Sequence, residues 1–199
     1  MSLKDRDFYR FLRQFSYITS DEEFKKLKTE VHHGSNRYDH SVRVALKVYK
    51  LAKRFHLNYV SATRAALLHD FFLRSELGDG HVSDPEELVL HPAVAVENAK
   101  RRFNISKKEA NIMITHMYPV TREAPTTKEG WLLTYADKVV SVREYMKYRV
   151  LRMNSPELSV VNDVDFDSNS FREKDMLSMS MAINLKVNTK NCYRLFSED

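Results

Sequence analysis

His69 and Asp70 stand side by side after an apolar run, Ala65-Ala66-Leu67-Leu68, and Phe71-Phe72-Leu73 follows them. A carboxylate in such surroundings must be paired or bound to a cation once it is buried. Imidazole and carboxylate together make poor core but good metal ligands. Further donors lie along the chain: His40 upstream, then His91, His116 and Asp137 downstream. Six nitrogen and oxygen donors spread this way suggest a site assembled by folding around one or two divalent metals.

Each donor has a plainer reading. A lone histidine in a helix is more often a surface or hydrogen-bonded core residue, and His32, His33, His56 and His81 read that way. Asp70 could be an exposed acid on a helix end. Asp137, inside Leu132-Leu133-Thr134-Tyr135-Ala136, could be ion-paired with Lys138 or with a distant arginine. Adjacent residues on an ideal helix also point about 100° apart. His69 and Asp70 therefore share a site only if the helix frays or bends there, or if the metal lies over its end.

The elements that must position these residues read as helices. Phe8, Phe11, Leu12 and Phe15 recur at helical offsets. Ser20 with Glu23 has the capping-box pattern and opens a second helix through Phe24 and Leu27. Gly34 breaks the chain. A third helix should start near Asn36, carry His40, and end near His56. Asn58 can cap a fourth, from Tyr59 to about Phe72. Residues 74 to 90 read as loop, and Pro92 suits the first turn of a fifth helix with His91 at its mouth. Ser106 and Glu109 form another capping box, on a helix that reaches His116. Pro119 and Pro125 bracket a loop, and Trp131 to about Tyr148 reads as a long helix holding Asp137. Beyond it, Ser155-Pro156 and residues 162 to 170 read as linker, and a last helix is expected over 171 to 185; Met176, Met179 and Met181 read as core, with a dimer surface as the alternative.

Composition agrees with an all-α fold. Apolar residues make up 43% of the 199-residue chain, enough for a core, while four glycines and five prolines are few for a sandwich or a doubly wound sheet. The net charge of +5 suits anionic ligands without requiring nucleic acid. A single cysteine, Cys192, rules out an intrachain disulfide and a Cys-type structural zinc site. The N-terminus has no apolar h-region and no apolar run is long enough for a membrane span, so the expected location is the cytoplasm. No dinucleotide or Walker glycine pattern occurs. Asp163, Asp165 and Asp167 do not make an EF-hand, because Ser168 replaces the turn glycine and Lys174 the closing glutamate.

The order His40, His69-Asp70, Asp137 resembles the H…HD…D motif of the HD superfamily of metal-dependent phosphohydrolases. Tyr38-Asp39-His40-Ser41-Val42-Arg43-Val44-Ala45 looks like its first motif helix, and Tyr135-Ala136-Asp137-Lys138 like its last. His91-Pro92 and Ile114-Thr115-His116 resemble the two extra histidines of the binuclear branch. The resemblance covers about residues 35 to 148. It implies a helical bundle with the metal site between central helices. The flanking residues match no family pattern, and their own patterning leads us to expect a helical extension over 1–34 and a linker and packed helix over 149–199. The resemblance further implies a first metal on His40, His69 and Asp137 and a second on His91 and His116, with Asp70 as the bridging, catalytic carboxylate.

Imidazole and carboxylate ligands suit Fe, Mn, Zn, Co or Ni, with Mg a further option. Such ions neutralise a phosphate ester and lower the pKa of bound water toward about 7. Arg37, about one turn before His40, is the expected phosphate-binding and catalytic cation, with Lys138 as a second catalytic and substrate-binding cation and Ser35 as a further substrate contact. The expected activity is hydrolysis of a nucleotide or related phosphate ester. The alternative is a non-catalytic, nucleotide-binding regulator with a structural metal. A small phosphate ester is the expected partner. Nucleic acid and membrane are disfavoured, and a homodimer is one assembly open to the chain.

Overall fold

The computed structural model describes residues 3–32, 35–78 and 84–154. The chain divides into two units, 1–154 and 155–199. The linkers at 155–156 and 162–170, the helix over 171–185 with its methionines, Cys192, His33 and His81 lie outside the described residues.

Among the described residues the first unit is built from helices, in keeping with the all-α expectation. They are α1 (Leu3–Gln14), α2 (Ser16–Thr19), α3 (Glu22–Lys25), α4 (Arg37–Arg54), α5 (Tyr59–Leu68), α6 (Asp84–Phe103), α7 (Lys107–Ile114) and α8 (Lys128–Asn154). Two short strands, β1 (Val31–His32) and β2 (Ser35–Asn36), pair antiparallel just before α4. α4 packs on both α5 and α8, and α5 also meets α7 and α8. The core between them includes Val44, Val48, Leu67, Leu68, Ile112 and Leu133, all fully buried. Each such side chain contributes roughly 1.5–3 kcal/mol by leaving water. The apolar stripe of α1 joins this core: Phe11 and Phe15 are buried, and both rings pack edge-on against Tyr49 of α4.

Local capping chemistry sets several helix starts. Asn36 accepts from the Asp39 amide, Asn58 from the Ser61 amide, and Ser106 exchanges both bonds of a capping box with Glu109. The expected Ser20 cap is corrected: Asp21 caps α3, its Oδ1 accepting from the amides of Glu23 and Phe24, while Ser20 still closes α2.

Three expected boundaries also change. α5 stops at Leu68, not near Phe72, and tight turns replace it: the Phe71 amide donates to Leu68 and the Phe72 amide to Asp70. Residues 84–90 are helical rather than loop. Pro85, not Pro92, occupies the first turn of α6, whereas Pro92 sits in its interior, where it lacks the N–H that would bond Leu88. Finally, α8 is longer at both ends than Trp131 to Tyr148. Thr127 starts it, Oγ1 accepting from the Gly130 amide.

Candidate metal centre

Five elements deliver the six donors. His40 lies one turn into α4. His69 and Asp70 lie where α5 unwinds, which frees two adjacent side chains from the 100° separation of a helix. His91 sits just before Pro92 in α6, His116 in the turn after α7, and Asp137 in α8. None is more than 8% exposed.

The side chains converge as a continuous chain of contacts. His40 Nε2 lies 3.1 Å from Asp137 Oδ1, and His69 Nε2 lies 3.7 Å from the same oxygen. His69 Nε2 is also 3.7 Å from Asp70 Oδ2. Asp70 Oδ1 is 3.3 Å from His91 Nε2 and 4.0 Å from His116 Nε2, and those two nitrogens are 3.1 Å apart. Two overlapping triads, His40/His69/Asp137 and His69/Asp70/His116, have ligand atoms close enough for one ion each.

The far nitrogen of every ring decides what its near nitrogen can do. His69 Nδ1 donates to the Ala66 carbonyl at 2.8 Å, His91 Nδ1 to Glu87 at 2.8 Å, and His116 Nδ1 to Met113 at 2.6 Å. A carbonyl only accepts, so each Nδ1 carries a proton, and each Nε2 presents a lone pair to the cavity whenever its ring is neutral. His69 Nε2 is buried with no hydrogen-bond partner. His91 and His116 aim lone pairs at each other. Burial pushes the pKa of both down, and His69 and His91 help hold His116 at about 3, so neither ring takes a proton to relieve the repulsion. A cation bound by both does relieve it. The donor set therefore fits a divalent metal, and an N/O set of this kind suits a first-row transition ion.

His40 is arranged differently. Its Nδ1 meets Glu144 Oε2 at 2.8 Å, and Glu144 Oε1 accepts from Arg43 Nη1 at 3.0 Å. Burial pushes the His40 pKa down, but the bonds to Asp137 and Glu144 outweigh it and raise it to about 10. Burial likewise pushes Asp137 up, yet His40 and His69 hold it well below the usual carboxylate range. For His69, burial opposes the charge while Asp70 and Asp137 raise the pKa on balance.

The three residues expected to meet substrate each have a partner within the protein. Arg37 is 2% exposed; its Nη1 donates to the Phe72 carbonyl at 3.0 Å and its Nη2 to Glu87 at 2.9 Å. Lys138 Nζ donates to the His116 carbonyl at 3.3 Å, and burial lowers its pKa. Ser35 Oγ accepts from Arg43 at 3.0 Å. Sequence reasoning missed Glu144. Its signal was its place seven residues after Asp137, two turns along one helix face.

The model of the HD domain family matches residues 37–141, more than half of the chain. The chain belongs to the HD domain family, a family of metal-dependent phosphohydrolases. It is 31% identical to the ribonuclease Y proteins of Thermotoga petrophila and Thermotoga maritima over 118 residues, which is 59% of this chain and 21% of theirs. Ribonuclease Y of Thermosipho melanesiensis is 29% identical over the same share. The chain thus spans about a fifth of the length of the curated relatives it matches. No solved structure matches it significantly. Among the described residues, no helix is long and apolar enough to cross a membrane.

Proposed function

We propose that this chain is a phosphohydrolase that cleaves a nucleotide or related phosphate ester with two divalent cations. His40, His69 and Asp137 would hold one, and His91 and His116 the other. Asp70 would bridge them, since its two carboxylate oxygens face different imidazoles. The observation that carries the proposal is the convergence of Nε2 lone pairs whose opposite nitrogens are each tied to a backbone carbonyl. Bound there, the cations supply Lewis acidity toward phosphoryl oxygens and acidify water at neutral pH. The chain's own part is to hold the donors in place without reorganisation, because every imidazole is oriented by a second hydrogen bond.

A second reading concerns the substrate. The matched relatives are named ribonucleases, which favours an internal RNA phosphodiester over a mononucleotide. Elemental analysis of freshly purified protein, then turnover of nucleotides, dinucleoside polyphosphates and single-stranded RNA oligonucleotides with the metals found, tests both. Metal should be present and Asp70→Ala should lose it together with all hydrolysis. Full activity in Asp70→Ala overturns hydrolysis through an Asp70-bridged metal centre. Ligand-induced stabilisation without turnover of any substrate points to a regulator.

A further inference from the structure

We infer that Arg37 is a positioning residue for the His91 half of the metal centre, acting through Phe72 and Glu87. The inference rests on the metal reading above. The guanidinium carbon of Arg37 lies 3.7 Å from the centre of the Phe72 ring, and that ring stacks on His91 with centroids 5.1 Å apart and planes 20° from parallel. Arg37 Nη1 also holds the Phe72 carbonyl, while the Phe72 amide donates to Asp70 across the turn. Arg37 Nη2 grips the Glu87 carboxylate, whose own backbone carbonyl accepts the His91 Nδ1 proton. The plane of the His91 ring and the acceptor on its far nitrogen are thus both fixed by residues that Arg37 ties down. Arg74 adds a longer contact to Glu87 at 3.4 Å, and Glu30 lies 3.6 Å from Arg37, so the buried Arg37 guanidinium sits within a network of ion pairs. A lysine offers no planar fork and cannot stack on the ring while holding both acceptors.

Cobalt(II) titration of metal-stripped full-length protein, followed by the visible absorption of the bound ion, tests this without relying on turnover. Wild type should take up two equivalents. Arg37→Lys should retain one with unchanged affinity and bind the other 10- to 100-fold more weakly. Phe72→Leu, which keeps Arg37 and most of the apolar volume, should weaken the same equivalent by a smaller factor. Should Arg37→Lys fail to melt cooperatively, Phe72→Leu decides. Wild-type affinity for both equivalents in a folded variant, or equal weakening of both, overturns the inference. A wild type that binds one equivalent does so too, since the centre then has no separate His91 half. A wild type that binds none overturns the parent metal reading instead.

Discussion

The two ends of the centre use the same side chain in opposite electrostatic states. At the His40 end an imidazole sits between two carboxylates, Asp137 and Glu144, and its pKa rises to about 10. At the other end His91 and His116 donate to backbone carbonyls, burial dominates, and His116 is held at about 3. The carboxylates that flank His40 make the difference, Asp137 ahead of Glu144. A full charge there can outweigh the cost of desolvating an imidazolium, and a carbonyl dipole cannot. Without metal, one end satisfies its acids with a proton and the other leaves lone pairs in conflict.

This asymmetry gives unequal outcomes for one kind of substitution in metal-stripped protein. His40→Ala leaves Asp137 and Glu144 buried without their shared cationic partner, and breaking such a group costs about 3–5 kcal/mol. His116→Ala removes one of two opposed lone pairs along with a single bond to the Met113 carbonyl. Its cost should be about 1–3 kcal/mol, because the buried Met113 carbonyl is left without its donor, and so smaller than that of His40→Ala. Urea unfolding of both variants at pH 7 measures the two values. Equal losses would mean that the ends do not differ. Glu144→Gln is milder, because it keeps an acceptor behind His40 but removes its charge. It should weaken the cobalt equivalent at the His40 end by 10- to 100-fold and spare the one that depends on Arg37. Weakening of the second equivalent alone would reverse the assignment.

Local chemistry is why so much of this was readable from residues. The starts of α4, α5 and α7 are set by side chains within three positions of the amides they cap. The six donors stand out because each lies beside an apolar run or a helix end. Long-range pairings were not readable. Glu144 reaches His40 across 104 positions and Arg37 reaches Glu87 across 50, so only folding reveals that one acid is a support and one cation is already engaged. His91 stands in a different setting from the one its neighbours suggest. Pro92 looks like a helix start, and only Pro85 upstream shows that the helix had already begun.

The smallest effect should come from a charge outside the centre. Asp21 caps α3 and pairs with Arg102 of α6 at 2.8 Å, so it braces from the surface the helix that carries His91. Burial pushes its carboxyl up, but the bonds from Arg102, Phe24 and Glu23 bring the pKa below 3.8 on balance. The unfolded chain keeps the ordinary value. The added stability is therefore complete above the unfolded pKa and fades as pH falls through the lower folded one. Asp21→Asn keeps an N-cap acceptor and loses only the charge. Its melting temperature should lie slightly below wild type at pH 7, and the gap should close on the acid side, below about pH 4. Cobalt stoichiometry should not change. If the gap persists in acid, the cap geometry rather than the ion pair does the bracing; if an equivalent of metal is lost, the His91 end depends on α6 as a whole and not on Arg37, Phe72 and Glu87 alone.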